Sequence, residues 1–446
     1  MPSDWTAGDE TAALLQQLIR FNTTNPPGDE KECAEFLVKL FTDAGIESRT
    51  YESRPGRAQV YARIKGSGDK RPVMLLAHMD VVGVERDRWS CDPFEGVIRD
   101  GYLYGRGAID DKGMLAANAM AMILLNRAIQ TERRTLSRDV VFVATADEEA
   151  GGEWGMGWMV KNHPELLDAE FALNEGGRTR VIAGGRRYLA IQSAEKISHG
   201  VRLSARGTAG HSAVPLPDNA IFALARATAR LADHIEPVHL TPITRSFFAG
   251  LAAVWPDAGE ASAMRDIASG DTGLVEKAAT VLSRTPVFNA VLRAGISPTI
   301  LEGGIRNNVI PASAGVVLNV RTIPGQPIDD VIARIKSAIA DDKIEIEVTG
   351  SGEEAPASDA DSEMFTALAN AARSLDPEIT VVPYQSNGVT DSARLRILGI
   401  NAYGILPFPM EQADEERMHG HDERIPVASL HFGTRLIYET LVAITK

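Results

Sequence analysis

Two periodicities divide the chain. Apolar residues at helical spacing predict helices over Glu10–Phe21, Lys31–Ala44 and Met114–Ala128. The first ends near Asn25-Pro26-Pro27-Gly28, a strong chain breaker, and the second at Gly45. Apolar runs predict strands over Ala58–Lys65, Val73–Ala77 and Asp139–Ala146. Gly96–Tyr104 reads as a hairpin turning at Asp100-Gly101. A short helix, Trp154–Lys161, and a short strand, Phe171–Leu173, follow. Strands alternating with helices predict α/β organisation around a mixed sheet.

The texture changes near Lys196. Gly200–Arg206 and Gly315–Arg321 alternate as half-exposed strands do, and Lys343–Val348 reads as a third strand. Helices are predicted over Asn219–Asp233 and Ile328–Ala340, and the stretch Pro237–Ser297 is loose and partly helical. After a linker-like run at 351–363, α/β texture returns with helix Met364–Ser374, strands Ile379–Pro383 and Ala402–Ile405, and a final helix Leu430–Ile444. The simplest division is an α/β domain in two parts, 1–196 and 353–446, interrupted by an inserted α+β domain at 197–352.

Composition narrows the classes. At 446 residues the chain is long for one typical domain. A net charge of −14 argues against nucleic acid as a partner. Two cysteines, Cys33 and Cys91, make no disulfide framework, and reduced thiols fit a cytoplasmic protein. The start, MPSDWTAGDE, shows no signal-peptide pattern, and no apolar run approaches the roughly 18 residues needed to span a membrane.

Chemistry concentrates at predicted strand ends. The run PVMLLAHMDVV places His78 and Asp80 on one face at a strand's carboxyl end, where open α/β sheets bind ligands. An imidazole beside a carboxylate is a common metal-ligand arrangement, though an ordinary strand-to-loop boundary reads the same way. GRGAIDDKG brings Asp110, with Asp111 as a candidate helix N-cap. TADEEAGG brings Glu148 and Glu149, NEGG brings Glu175, and MHGHDERIP brings His419 and His421. Paired carboxylates at a buried strand end are costly unless a metal or cations accept them. Two histidines with several carboxylates suit zinc, or harder divalent ions where oxygen dominates. A two-metal site needs a bridging carboxylate and a free one to take a proton from water, and the Glu148/Glu149 pair has one to spare.

HMD, GRGAIDDKG, DEEAGG, NEGG, AGHSAVP, NNVIP and HGHDE together make the chain resemble a known family over nearly its whole length. It is the metallopeptidase family of carboxypeptidase G, carboxypeptidase S, aminoacylase, succinyl-diaminopimelate desuccinylase and carnosine dipeptidase. The resemblance implies a mixed-sheet di-zinc catalytic domain with an inserted lid and dimerisation domain. It implies that His78, Asp110 and Glu175 hold one zinc, and that Asp110, as the bridge, with Glu149 and His419 holds the other. Co²⁺ or Mn²⁺ are possible substitutes. Glu148 is implied as general base and acid, and Asp80 as the residue that holds His78. His419 is preferred to His421 because it stands four residues before Glu423, as in the family.

The resemblance also reaches the inserted domain. His211, in AGHSAVP, is implied as an oxyanion donor that in dimeric relatives reaches the neighbouring subunit's site. Asn308 and Arg321 match residues that hold a substrate carboxylate, and Thr390 and Asp391 match a pocket loop. The family often has Gly after AEK, whereas Ser198 here follows Lys196 with Ile197 between. The stretch Pro237–Ser297 exceeds the lid of the smaller members and resembles the carboxypeptidase S and aminoacylase branch. Both departures leave specificity and oligomeric state open. The expected activity is hydrolysis of an amide next to a free carboxylate, in a dipeptide or N-acyl amino acid, with a small-molecule substrate and a homodimer through the lid. Carbamoyl amides, esters, phosphoesters and a catalytically silent metal-binding relative are the competing readings. Glu148 argues against the silent relative, and the Asn308–Arg321 pair against the phosphoester.

Overall fold

The computed structural model describes residues 7–446. The chain opens with α1 (Ala7–Arg20), α2 (Lys31–Asp43), β1 (Glu47–Arg54), β2 (Arg57–Ile64) and β3 (Val73–His78). There follow β4 (Val97–Arg99), β5 (Tyr102–Tyr104), α3 (Lys112–Glu132), β6 (Val140–Thr145), α4 (Met156–Asn162), β7 (Phe171–Asn174), β8 (Arg178–Val181) and β9 (Arg187–Glu195). The middle holds β10 (Ile197–Arg206), β11 (Gly210–His211), α5 (Ala220–Ala232), α6 (Pro242–Leu251), α7 (Ala258–Ser269), α8 (Thr272–Leu282) and α9 (Pro286–Leu292). It continues with β12 (Gly295–Gly303), β13 (Val309–Ile310), β14 (Ser313–Thr322), α10 (Ile328–Ile339) and β15 (Ile344–Ser351). The chain closes with α11 (Glu363–Leu375), β16 (Thr380–Ser386), α12 (Ser392–Ile397), β17 (Asn401–Gly404), α13 (Gln412–Glu415), β18 (Arg424–Pro426) and α14 (Val427–Ile444).

The large sheet runs β1-β2-β6-β3-β7-β17-β9-β16, with β8 paired to β9. It is mixed, as the alternating pattern predicts. β6, β3, β7 and β17 are mutually parallel along the row, while β1 and β2 run antiparallel at one edge. Every residue of β3 and β6 is buried, which is why both read as unbroken apolar runs rather than alternating ones. Helix α3 is alanine-rich and buried along most of its length, packed against α1, α14 and the sheet. Small side chains let it sit close to β3 and so bring Asp110 and Asp111, just before its first turn, to the strand's end. The core on this side joins Leu15, Leu37, Phe41, Leu75, Phe142, Leu436 and Leu441. Each such fully buried aliphatic or aromatic side chain contributes about 1.5–3 kcal/mol of transfer free energy.

A second, four-stranded sheet runs β12-β14-β10-β15, with all its pairs antiparallel. Helices α5 and α10 cover its inner face through Leu224, Val331 and Ile335. The loose stretch 237–297 resolves into α6, α7, α8 and α9 before entering β12. These helices share a core with the large sheet: Phe247, Phe248 and Leu251 pack with Tyr188 and Ala190 of β9 and Val382 and Tyr384 of β16. Among the described residues no helix is long and apolar enough to cross a membrane.

Candidate metal centre and active site

Three parallel neighbours aim their carboxyl ends at one point. His78 closes β3 and pairs in register with Thr145 at the end of β6. Glu148 and Glu149 stand in the turn after β6, and Glu175 follows Asn174 at the end of β7. Two glycines make the last turn possible. Gly176 has φ 109, and a Cβ on Gly177 would lie 2.4 Å from the Gly404 carbonyl oxygen of β17. The turn therefore lies flat against the neighbouring strand.

His78 is buried, and its two ring nitrogens have different partners. Nδ1 lies 3.0 Å from the Asp80 carbonyl oxygen and 3.5 Å from its carboxylate, while Nε2 lies 3.0 Å from Asp110 Oδ1. The other oxygen of Asp110 is 3.0 Å from His419 Nε2, so Asp110 stands between the two histidines. His419 also lies 3.3 Å from Glu149 Oε1. Ligand atoms of His78, Asp110 and Glu149 fall within 4.8 Å of one another, and so do those of His78, Glu148 and Glu175. The structure thus gathers all five expected ligands with Glu148, and it puts Glu148 as close to His78 as a ligand would be. His421 is not in either group.

The donor set fits divalent ions. Asp111 Oδ1 is buried and makes no hydrogen bond, and His419 alone stands beside the buried Glu149 Oε1. Burial first, then the neighbouring Asp110 carboxylate, pushes Glu175 up to about 8. Burial likewise drives Glu148 well above the usual carboxylate range, with Glu175, Asp391 and Asp110 adding to it against His78. Hydrogen bonds to Asp110 and Glu149 push His419 up to about 10. Asp110 is the exception: burial raises it, but its bonds to His419 and His78 outweigh that and hold it low. A cluster in which carboxylates keep protons and an imidazole gains one is what a cation site looks like before its cations enter, since binding releases those protons.

Asp80 does more than face His78. Its Oδ1 and Oδ2 accept the backbone N–H groups of Glu148 and Glu149, each at 3.1 Å, and Oδ2 also accepts from Asn25 Nδ2 at 2.8 Å. One buried carboxylate therefore fixes the imidazole and both glutamates together. Asn25 reaches on to Asp147 at 3.1 Å, and Arg57 spans Asp147 at 2.9 Å and Glu30 at 2.7 Å. Asp147 (φ 69) and His419 (φ 60) both hold left-handed backbone, which non-glycine residues adopt only where their surroundings demand it. The Asp110 turn is gripped by Glu423. Its Oε1 accepts from Ile109 N at 2.7 Å and Asp110 N at 3.1 Å, and its Oε2 from Gly107 N at 3.0 Å and Arg106 at 2.6 Å. Asp111 occupies the N-cap position of α3, but its side chain caps nothing; Oδ2 accepts the His78 backbone N–H at 3.2 Å. Asn25, Arg57, Asp147 and the holding role of Glu423 are absent from the sequence-level reading.

A cleft of about 440 Å³ opens beside the cluster, with Glu148 on its wall. Ser198, Ser351, Val389, Thr390 and Arg394 line it further out. Thr390 is buried and its hydroxyl is already engaged, donating to Glu195 Oε2 at 3.1 Å and accepting from Ser392 N at 3.2 Å. Asp391 accepts from Thr145 Oγ1 at 2.8 Å, and burial pushes it up to about 6. Arg321 faces Ser198 across β14 and β10. Its Nε donates to Asn319 at 2.8 Å, while one terminal nitrogen is buried without a partner. His211 and Asn308 sit together on the exposed β11–β13 ribbon, where Ser212 N donates to the Asn308 carbonyl at 3.1 Å. No hydrogen bond or ion pair among the described residues joins that ribbon to the histidine–carboxylate cluster.

A profile for peptidase family M20/M25/M40 matches residues 74–443. The chain belongs to that family. It is therefore a metal-dependent hydrolase of the M20 peptidase and acylase group, as the seven motifs imply. Human N-fatty-acyl-amino acid synthase/hydrolase PM20D1 is 29% identical over 389 residues, covering 85% of this chain and 75% of its own. A probable carboxypeptidase S-like protein of Dictyostelium discoideum is 30% identical over 372 residues, covering 80% and 68%. The crystal structure of the M20 family metallo-carboxypeptidase Sso-CP2 from Sulfolobus solfataricus superposes with a TM-score of 0.72 at 21% identity, covering 98% of this chain and 99% of that one. At that identity the likeness supports the M20 fold.

Proposed function

We propose that this M20 enzyme hydrolyses an amide bond next to a free carboxylate, in an N-acyl amino acid or a dipeptide, with two zinc ions held by His78, Asp110, Glu149, Glu175 and His419. The observation that carries the reading is the cleft: the carboxylate cluster opens onto it through Glu148, and Ser198 on its wall is the cross-strand partner of Arg321, one of whose terminal nitrogens is buried without a partner. An unpaired guanidinium nitrogen next to a substrate cleft suits a carboxylate. The name of the PM20D1 relative, an N-fatty-acyl-amino acid synthase/hydrolase, points to the same substrate class.

Bound divalent ions supply Lewis acidity for the scissile carbonyl and lower the pKa of water. The chain's own residues do the rest. Glu148 takes the proton of the attacking water on a carboxylate oxygen and hands it to the leaving nitrogen. Asp80 holds Glu148 and Glu149 in place through their backbone N–H groups. Arg321 and Asn308 hold the substrate carboxylate, which orients the scissile bond. His211 donates to the carbonyl oxygen as negative charge develops there, arriving by lid closure or from a second copy.

A dimer through the lid is part of the proposal. Edge strand β12 exposes Ile300 and Leu301, and Ile305 and Phe222 lie exposed on the same small domain. An open strand edge with apolar side chains is a ready pairing surface. The decisive experiment incubates the metal-reconstituted protein with mixed N-acyl amino acids and dipeptides and reads released products by mass spectrometry, alongside elemental analysis. The expected result is release of a free amino acid, about two transition-metal ions per chain, and loss of activity with chelator. Release from esters or phosphoesters alone, or activity indifferent to chelator, would overturn the reading.

A further inference from the structure

We propose that a second cleft, where the lid meets the helical layer, binds a small oxyanion: a carboxylate or inorganic phosphate. The cleft has a volume of about 640 Å³ and is lined by His234, Glu236, Ser283, Arg284, Asn289 and Arg293 among others. It is separate from the cleft beside Glu148, with which it shares no lining residue.

The case rests on donors without acceptors. Arg293 is only 7% exposed, yet its Nε is buried with no hydrogen-bond partner. Its other nitrogens are partly used: Nη1 donates to the Glu236 carbonyl oxygen at 2.6 Å, and Nη2 lies 3.6 Å from Glu276, whose side chain is 67% exposed. The Ser283 hydroxyl is also buried without a partner. Arg284 is exposed and makes no ion pair among the described residues. The acidic group inside the cleft is already taken. Glu236 receives His234 Nε2 at 2.8 Å on one oxygen and Arg334 at 2.9 Å on the other. What remains unmatched is the Nε of Arg293 and the Ser283 hydroxyl, with the exposed Arg284 guanidinium and the Asn289 amide on the same cleft wall. Buried donors left unpaired are costly, and one oxyanion can satisfy several of them with charge-assisted bonds.

The position gives the site a consequence. Leu231 lies in the last turn of α5 of the lid, His234 just follows it, and Ile296 and Ser297 lie at the start of β12, while Ser283 and Arg284 follow α8 and Asn289 lies in α9, in the helical layer packed on the large sheet. The Arg293 carbonyl oxygen accepts from Lys196 Nζ at 2.6 Å, so the site adjoins both connections between the lid and the rest of the chain. An anion held there bridges the two bodies and braces the lid. The inference does not depend on which substrate the metal centre takes.

The test is calorimetric titration of the metal-loaded enzyme with inorganic phosphate in one arm and acetate in the other. Wild type, Arg284→Ala, Ser283→Ala and Arg293→Lys are compared, with metal content and turnover checked in each. The wild type should show a saturable component in at least one arm, and the stronger arm identifies the source. Arg284→Ala and Ser283→Ala should each weaken that component, Arg284→Ala by about tenfold or more, the loss expected for a charge-assisted bond. Metal content and turnover without added anion should be unchanged. No saturable component in either arm overturns the proposal. So does a component of equal strength in wild type, Arg284→Ala and Ser283→Ala, because the anion then sits at the metal centre. Should Arg293→Lys fail to fold, Arg284→Ala and Ser283→Ala still decide.

Discussion

Glu148 and Glu149 are adjacent, share one holding carboxylate in Asp80, and yet face different neighbours. Glu149 has His419 and Asp110 beside it, while Glu148 forms part of the cleft wall. The proposed division follows from that. Glu148→Gln keeps size and hydrogen bonding but cannot accept the proton, so turnover should fall by roughly 10²–10⁴-fold with metal content unchanged. Glu149→Gln should lower metal content first. Elemental analysis and turnover on the two variants check this, and the opposite pattern would mean the roles are exchanged. At this scale much was legible. His78, Asp110, Glu175 and His419 stand out because each lies in a short polar motif directly after an apolar run or in a glycine-rich turn. Asn25, Arg57 and Asp147 do not stand out. Their meaning is purely spatial: Asn25 meets Asp80 55 residues away and Asp147 122 residues away. A lone Asn beside two prolines reads as a turn, and nothing in one sequence marks it as a support for a carboxylate.

The elements that escaped the sequence reading share a physical cause. β1 (ESRTYESR) is an edge strand with no fully buried residue, so it carries no apolar alternation. β12 is the edge of the small sheet, contains Pro298, and is exposed over most of its length. β9 is buried on both faces and mixes Gln192, Ser193 and Glu195 into its apolar run, because Gln192 and Glu195 find partners in Ser386, Thr390 and Arg396 and the Ser193 hydroxyl donates to the Ile191 carbonyl. The four helices α6 to α9 were blurred because they are short and bury small residues such as Ala263, Ala278 and Ala279. Between β9 and β10 stands Lys196, an element-scale clasp: it is buried and ties the first lid connection to the Arg293 carbonyl at the second. Burial first, then the Arg321 charge, pushes its amine down to about 8. The unfolded chain keeps an ordinary lysine pKa of about 10.4, so between those values the unfolded state binds the extra proton and stability rises with pH. Wild type should therefore gain up to about 3 kcal/mol relative to Lys196→Met between pH 8 and the unfolded pKa. Urea unfolding of both proteins across that range measures the gain, and parallel pH profiles would show that Lys196 stays charged in the folded protein.

For the molecule as a whole, the passage from the large sheet to the second was readable because the hydrophobic pattern itself switches, from unbroken buried runs to alternation, where the chain leaves β9 for β10. The relation between lid and metal centre was not, because it depends on how separate surfaces meet. His211 shows this. It lies exposed on the β11–β13 ribbon beside Asn308, and its Nδ1 is taken by Ala213 N at 3.1 Å. That leaves Nε2 as the nitrogen able to act on substrate, but the cluster it should serve is built wholly from the other domain. In its proposed role His211 would therefore reach a carbonyl by movement of its own lid or by crossing to a second copy. The exposed apolar residues Ile300, Leu301 and Ile305 favour the second route, since a lid that pairs with a lid presents its ribbon to the neighbour. His211→Ala should lower turnover by roughly 10²–10³-fold while metal content stays intact, the usual loss for one oxyanion donor. The routes separate on mixing. Inactive His211→Ala and inactive Glu148→Gln subunits, once exchanged, form mixed dimers in which one site has both an intact Glu148 and His211 of the partner subunit. Activity should then return in part, and it should do so only after subunit exchange is verified by mass or by fluorescent labels. Exchange without recovery would place His211 in its own subunit's site and leave lid closure as the route.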